Sequence, residues 1–443
     1  MTVATWPVSE DGDGPTPAAP HYRLLAGPRD GRAETLAAHR ERLGPLLEAL
    51  GRRQSSARII DLVRRSGLQG RGGAGFPTAV KLDAVSKNAG LARNPVVVAN
   101  GSETEPISRK DRVLLTLRPH LVLDGIEVAA RAVGAQRAFL VTPWGAPEAA
   151  AAVRVALKER AAHLPGGLVP EVVTGSPAFV GGEETALLRW LEGTPPLPRF
   201  GPPRPFQRGW RGLPTLVQNV ETLANLALIS RFGADWFRSD GTDDEPGTTL
   251  VTVAGSATRP GVYELSIGTP LRRLLETAGW SPTSSALLLG GYFGTWVESQ
   301  AALGALLSRA GVRVLGASSG AGIVQLLPEG ACGLKETARL ATWLALETSG
   351  QCGPCVRGLP AVAGAVSQLA QAHSVPQGLE ARIGQWCDDI EGRGGCHHPN
   401  GFVNLVRSSV AVFAPELELH RRGRCSGTVT AGFPLPAHHR ERR

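Results

Sequence analysis

Between residues 56 and 65 the apolar positions Ile59, Ile60 and Val63 recur at helical spacing, which predicts an amphipathic helix. Leu36, Leu43, Leu46, Leu47 and Leu50 make the same case for residues 31–50, and a further helix is expected over 79–87. The stretch 95–100, Pro-Val-Val-Val-Ala-Asn, is different: a continuous β-branched run reads as a strand buried on both faces. Residues 138–142 read as a second strand, flanked by helices over 120–133 and 147–162. Glu183 and Glu184 open a helix that closes near Gly193, and residues 212–222 are expected to open another. Strands alternating with helices imply an α/β layer domain, Rossmann-like in type, over residues 21–240. After the turn-rich stretch 239–247 the pattern changes to strand (248–255), strand (261–265), helix (270–278) and strand (286–291). That order in a short span predicts a small β-grasp-like domain over 247–330. Helical spacing over 334–346, 361–373 and 401–413 predicts a C-terminal helical bundle over 331–420. Residues 1–20, acidic and proline-rich, are expected to be disordered, and residues 421–443 form a basic tail.

With 443 residues, 42% of them hydrophobic and 19% charged, the chain has an ordinary globular balance and room for two or three domains. Charges or prolines interrupt every apolar run before it reaches membrane-spanning length. The N-terminus has no basic segment followed by an apolar core, so no secretory signal is read there. A cytoplasmic protein with reduced thiols is the expectation, and the six cysteines are then read as something other than disulfides. The net charge of +8 suits acidic partners in general. It is spread along the chain, without aromatic residues interleaved among the basic ones, so nucleic acid is not expected as a partner.

The densest chemical signal lies between the helices expected over 56–65 and 79–87. Five glycines fall within the nine residues 67–75, too many for the interior of a helix or strand. Such a loop turns backbone N–H groups toward an anion, and Arg71 and Lys81 add fixed positive charge. Gly70, Gly72 and Gly75 fit G-x-G-x-x-G, yet a helix precedes them where the dinucleotide fingerprint has a strand. Residues 100–106, Asn-Gly-Ser-Glu-Thr-Glu-Pro, make a polar loop at a strand's carboxyl end, where open α/β sheets bind ligands. Gly181 and Gly182 bring backbone close to a ligand just before Glu183 and Glu184, whose carboxylates also suit a helix N-terminus.

Cys352-Gly-Pro-Cys355 lies between helical segments, with Cys396 some way beyond. The spacing is open to a redox dithiol, a zinc half-site completed by Cys396, His397 and His398, or an iron–sulfur site. A thioredoxin-like motif would follow a strand, which this one does not. Cys332, Cys387 and Cys425 have no paired spacing and read as buried free thiols.

Four separated stretches then fall in a recognisable order: residues 67–81, Asn100-x-x-Glu-x-Glu-Pro-x-x-x-Lys-Asp-Arg112, Gly182-Glu-Glu-Thr-Ala-Leu, and Pro214-Thr-x-x-x-Asn-Val-Glu-Thr222. Together they resemble the NADH-oxidising flavoprotein subunit of respiratory complex I and its relatives in NAD-linked hydrogenases and formate dehydrogenases. The likeness runs from about Arg52 to Phe413. It implies an FMN-binding α/β domain, an SLBB-type β-grasp domain and a helical bundle carrying a [4Fe–4S] cluster. By that resemblance Gly70, Arg71, Gly72, Gly73 and Lys81 cradle FMN, and Asn100, Ser102, Glu103, Gly182, Glu183, Gln218 and Asn219 line the rest of it. Phe76 stacks on the nicotinamide nucleotide, with Glu105, Glu184 and Arg204 beside it. Ser349, Cys352, Cys355 and Cys396 are the implied cluster ligands.

Two departures from the family pattern bear on function. Glu347-Thr-Ser-Gly-Gln-Cys-Gly-Pro-Cys-Val-Arg-Gly358 has Ser349 where the family's first cluster cysteine stands. A serine alkoxide, a substituting Cys387 or a cluster short of one iron are the three ways to meet this, and a retained cluster with an unusual fourth ligand is the expectation. The family also carries an aromatic where Ala84 stands, phenylalanine at Arg204, lysine at Gly201 and aspartate at Ser102. The two missing aromatics would each contribute about a kcal/mol to holding adenine. Arg204 in that place suits a 2′-phosphate, so NADH, NADPH and no pyridine nucleotide remain three alternatives.

The expected function is an FMN and iron–sulfur NAD(P)H dehydrogenase subunit that passes electrons to a separate carrier. A ferredoxin, another redox subunit or a membrane-associated partner would fill that role. No N-terminal [2Fe–2S] module is read, so the next acceptor is expected on another chain. One alternative is an electron-transfer subunit reduced by a protein partner; another is an assembly scaffold without chemistry.

Overall fold

The computed structural model describes residues 22–436 apart from 29, 47–54, 91–93, 164–166, 373–374 and 430–431. The expectations for residues 1–20 and for the extreme C-terminal tail lie outside the described residues.

The first sheet has four parallel strands: β1 (Val96–Asn100), β2 (Arg137–Thr142), β3 (Glu171–Thr174) and β4 (Thr215–Asn219), in the order β3-β2-β1-β4. Alternate residues feed two cores. Val97, Ala99, Leu140 and Leu216 pack toward helices Pro119–Val133 and Val220–Phe232. Val96, Val98, Phe139, Val141 and Val217 meet Leu187, Leu188 and Trp210 on the opposite face. Burial on both faces is why β1 reads as an unbroken apolar run. The two large helices touch backbone to backbone at Gly125, where a Cβ would come within 2.0 Å of the Leu223 carbonyl oxygen. In register, Asn100 pairs with Val141 on one side and Asn219 on the other, so both asparagines stand at the sheet's carboxyl edge.

β4 is a correction. The sequence pattern has residues 212–222 leading into a helix, but Thr215–Asn219 is a buried strand and the helix begins only at Val220. So short a run carries no readable period; its partner β1 decides its state. The Asn219 side chain makes the switch from strand to helix by accepting the Glu221 N–H at 3.0 Å. The expected helix over 31–50 is shorter among the described residues, Leu36–Leu43, with Gly44 at its end. β3 and helices Lys110–Leu117, Leu379–Ile390 and Ala414–Arg421 carry no sequence pattern distinct enough to anticipate them.

The second sheet is mixed, with β5 (Thr248–Gly255), β6 (Gly261–Ser266), β7 (Ala286–Leu289), β8 (Thr295–Glu298) and β9 (Ile323–Leu326) in the order β6-β5-β9-β7-β8. β5 and β9 are parallel and the other pairings antiparallel. The expected strands are present; β8 and β9 complete the sheet. Helices Gly333–Leu346, Leu359–Leu369, Leu379–Ile390, His398–Val412 and Ala414–Arg421 form the C-terminal bundle. Its core continues into the second sheet through Tyr292 and Trp296 and into the first domain through Ile107 and Phe179.

Candidate functional site

Helix Ser56–Ser66 stops at Gly67, and the chain loops back on itself: the Gly70 N–H donates to the Phe76 carbonyl at 2.9 Å and the Thr78 N–H to the Leu68 carbonyl at 3.0 Å. Gly73 (φ +107°) and Gly75 (φ +56°) sit in backbone conformations that side chains resist. The loop is also hemmed in. A Cβ on Gly72 would lie 3.4 Å from the Asn219 Cβ, and one on Gly73 would lie 3.3 Å from the Gly320 carbonyl oxygen. The Arg71 N–H donates to Thr222 Oγ1 at 2.8 Å, and its guanidinium reaches the Pro246 carbonyl at 3.1 Å. Its Nε is buried without a partner. A cavity of about 60 Å³ separates the loop from the second sheet, with Gly70, Arg71, Gly73, Lys110, Arg309 and Gly320 on its walls.

At the sheet edge the Asn100 amide donates to the Gly182 carbonyl at 3.0 Å, while its oxygen accepts the Ser102 N–H at 3.1 Å. Asn219 donates to the Asn100 carbonyl at 3.2 Å and to Asp111 at 2.7 Å. Gln218 is buried in β4 beside it. The Ser102 hydroxyl and Thr78 hydroxyl are buried with no partner. Glu103, at φ +44°, turns its carboxylate to the start of helix Lys110–Leu117, accepting from the Asp111 N–H at 2.8 Å and from Arg112 Nε at 2.9 Å. Glu183 caps helix Glu184–Leu191 by accepting from the Thr185 and Ala186 N–H groups at 3.0 and 2.9 Å. Glu184 Oε2 pairs with Lys81 Nζ at 2.8 Å.

Three charged residues of the quoted motifs, Lys110, Asp111 and Glu221, have no role in the sequence reading and turn out to form one buried network. Lys110 Nζ is buried 2.7 Å from Asp111, 2.9 Å from Glu221 and 3.2 Å from Asn219. Burial opposes its charge, but Asp111 and Glu221 outweigh that and hold the ammonium above its usual pKa. Burial pushes the Asp111 carboxyl up to about 6 in spite of Lys110, with Glu103 adding to the rise. The available signal is a Lys-Asp pair and a Glu set among apolar residues, which must pair if they are buried.

The residues assigned to a nucleotide are more dispersed. Phe76 stands 52% exposed at the end of the glycine loop. Arg204 is exposed at the start of the short helix Pro205–Arg208. Glu105 lies under the second sheet, where it accepts the Tyr292 N–H at 3.1 Å, and desolvation raises its pKa to about 8.

The bundle brings three cysteines together. Cys355 lies on a π-helical turn (Pro354–Gly358) and Cys352 just before it, and burial followed by the Cys352 and Cys396 thiols raises the pKa of Cys355. Burial also raises Cys396, which feels both Cys352 and Glu183. Ser349 is half-buried three residues before Cys352. Cys387 belongs elsewhere: it is fully buried, and its charged neighbours are Arg407, Asp388 and Glu391. His398 turns Nε2 to the Leu344 carbonyl at 2.9 Å and packs edge-on against Phe293 and Phe179.

Both cofactor sites fit their groups on these observations. Unpartnered buried polar atoms lie at the glycine loop (Arg71 Nε), just after it (Thr78 Oγ1) and at the sheet edge (Ser102 Oγ), and Gly73 and Gly75 hold conformations and close approaches that side chains resist, as suits a phosphate-bearing ligand. Three clustered thiols are a soft donor set suited to an iron–sulfur cluster.

The fold and sites define a flavin-binding α/β protein fused to an iron–sulfur bundle through an SLBB domain, and comparison with known proteins agrees. Residues 63–228 match the Nuo51 FMN-binding domain, residues 250–286 the SLBB domain, and residues 335–420 the NADH-ubiquinone oxidoreductase-F iron-sulfur binding region. The chain is 32% identical over 387 residues to the F subunit of NADH-quinone oxidoreductase from Streptomyces coelicolor, covering 83% of each chain. With the protein of that name from Mycobacterium tuberculosis it shares 32% over 386 residues, covering 82% of this chain and 85% of the other. It superposes on a chain of the NAD+-reducing [NiFe]-hydrogenase in the H2-reduced state with a TM-score of 0.77 at 31% identity, covering 88% of this chain and 67% of that one. The chain belongs to the family of NADH-quinone oxidoreductase F subunits.

Proposed function

We propose that the chain is the electron-entry subunit of a multi-subunit NAD(P)H oxidoreductase. When bound, FMN supplies the conversion between two-electron hydride chemistry and one-electron transfer, and the [4Fe–4S] cluster supplies the one-electron relay to a separate redox partner. Arg71 and the glycine loop would hold the flavin's anionic end. Asn100 and Asn219, locked to each other and to the Gly182 carbonyl, would fix its orientation. Positioning of this kind is the protein's main contribution to hydride transfer, which needs no general base. Phe76, Glu105, Glu184 and Arg204 are assigned to the nucleotide, and Ser349 with Cys352, Cys355 and Cys396 to the cluster. Functional boundaries are placed at residues 240–247 and 330–331.

One observation carries the reading: beside Cys352 the Gln351 amide donates to the Pro198 carbonyl at 3.2 Å, and Cys396 feels Glu183, which caps the helix whose first residue pairs with Lys81. The cluster cysteines therefore adjoin the flavin-site residues. Among the described residues no helix is long and apolar enough to cross a membrane. A net charge of +8 favours an acidic carrier such as a ferredoxin, in the cytoplasm or at the membrane face.

The test is an anaerobic absorbance titration of the reconstituted protein with NADH and, separately, with NADPH. Flavin bleaching by either nucleotide establishes the dehydrogenase and its cosubstrate. Bleaching by dithionite alone overturns the nicotinamide step for this chain and directs attention to a protein donor.

A further inference from the structure

A second group of metal-ligating side chains stands apart from the three cluster thiols, and it uses two of the cysteines whose spacing signals nothing in the sequence. Cys332 sits immediately before helix Gly333–Leu346. Glu416 and His420 lie one turn apart on helix Ala414–Arg421, and Cys425 follows that helix. One donor atom from each, Sγ, carboxylate O, imidazole N and Sγ, all lie within 4.8 Å of one another. We infer that Cys332, Glu416, His420 and Cys425 form a structural zinc site that fastens the chain after the last bundle helix to the start of the first.

The spacing suits a tetrahedron. With metal–sulfur bonds of about 2.3 Å and metal–nitrogen or metal–oxygen bonds of about 2.0–2.2 Å, the edges of such a site run roughly 3.3–3.8 Å. Cys332 Sγ is 3.6 Å from His420 Nε2, within that range, and Nε2 is 3.0 Å from Glu416 Oε1, slightly below it, so seating an ion requires only small shifts.

The surroundings are those of ligands rather than of idle thiols. His420 is fully buried, and its Nδ1 is 2.8 Å from the Leu369 carbonyl oxygen. A carbonyl only accepts, so Nδ1 carries a proton and Nε2 is the nitrogen that faces Glu416 and Cys332; a metal ion there would take the place of the proton that Nε2 otherwise shares with the carboxylate, the orientation that metal-bound histidines take. Each sulfur also accepts a backbone N–H: Cys332 from Lys335 in the first turn of its helix, and Cys425 from Gly427 at 3.3 Å. These contacts fix the two sulfurs in place, and Cys332 stands at a helix N-terminus. The Ser426 N–H donates to Glu416 at 2.9 Å and orients the carboxylate.

Cys332 and His420 are buried, and Glu416 and Cys425 close the group from its partly exposed side. Two thiolates, an imidazole and a carboxylate form a closed borderline-soft set that favours zinc over magnesium or calcium. The site also closes a packed seam. The Thr428 N–H donates to the Gly330 carbonyl at 2.8 Å, and a Cβ on Gly427 would lie 2.8 Å from the Cys332 Cβ.

The test is metal analysis of the anaerobically purified full chain, carrying FMN and iron, alongside His420→Ala and Cys425→Ser. One zinc per chain in the wild type, lost in both variants while iron and FMN content stay unchanged, is the expected result. Cobalt exchange of the wild type provides a measurement independent of the variants: intense near-ultraviolet thiolate-to-cobalt bands and tetrahedral visible bands are expected. Alkylation under denaturing conditions followed by mass spectrometry reads the opposite case. Zinc-free protein in which Cys332 and Cys425 are joined as a disulfide, or are both free, overturns the inference.

Discussion

Lys81 Nζ lies 2.8 Å from Glu184 Oε2, joining the helix that leaves the glycine loop to the helix that follows the Gly181–Gly182 turn. The pair stands where residues assigned to flavin and residues assigned to nucleotide meet. Both side chains are partly exposed, at 23% and 31%, so their mutual attraction contributes at most about 1 kcal/mol to folding. Its significance is positional: it ties the helix after the glycine loop to the helix that Glu183 caps.

Lys81→Met is expected to weaken FMN retention by about 10- to 100-fold, the loss of one charge-assisted hydrogen bond of about 1.5–3 kcal/mol, with little change in melting temperature. Glu184→Gln is expected to keep FMN and raise the KM for the nucleotide. Flavin absorbance after gel filtration and steady-state kinetics check the two.

Lys110→Met leaves Asp111 and Glu221 buried without their cation. Removing one partner from a buried ion cluster costs about 3–5 kcal/mol, so the urea midpoint of the variant is expected to fall sharply. A double change that also neutralises Glu221 should recover part of that loss.

Glu105 gives stability a slope with pH. Desolvation raises its folded pKa to about 8 from the ordinary glutamate value of 4.5. Between those values the folded protein holds a proton that the unfolded chain has released, so stability falls as pH rises through the window and is level on either side. Glu105→Gln removes this slope and is expected to stabilise the protein relative to wild type above the window by about 1 kcal/mol or more, since each tenfold change in proton affinity corresponds to about 1.4 kcal/mol. Urea midpoints for both proteins below and above the window check it.

Ser349→Cys is expected to supply a fourth thiolate and give a cluster that resists loss of iron in air better than the wild type. Cys387→Ser is expected to leave the iron content unchanged, because Cys387 lies among Arg407, Asp388 and Glu391 rather than beside the other thiols. Iron analysis and low-temperature electron paramagnetic resonance of the reduced proteins distinguish these outcomes.

Gly125→Ala places a methyl 2.0 Å from the Leu223 carbonyl oxygen, where two helices meet without intervening side chains. Neither backbone can move without disturbing the face of the parallel sheet. A loss of about 1–3 kcal/mol is expected, read as a lower melting temperature with FMN content per folded protein unchanged.

Much of this protein is written in local sequence. The buried run of β1, the helical spacing around Ile59, Ile60 and Val63, and the glycines at 67–75 each fix a local state, because dense apolar or glycine-rich patterns leave the backbone few alternatives. The ordered motifs carried the family and its cofactors, since their residue types and spacing are constrained by the ligands they approach. Other features were settled only when distant segments met. Thr215–Asn219 became a strand because β1 offered it hydrogen bonds, and β8 and β9 are too short to show a period of their own. Lys110, Asp111 and Glu221 became one buried network although they come from two separate motifs. Cys332 and Cys425, distant in sequence and without paired spacing, acquired Glu416 and His420 as neighbours only through the packing of the bundle's first and last helices. Local pattern determines the state of a segment when its own residues supply the free energy. Where that free energy comes from a partner far along the chain, only the tertiary structure decides.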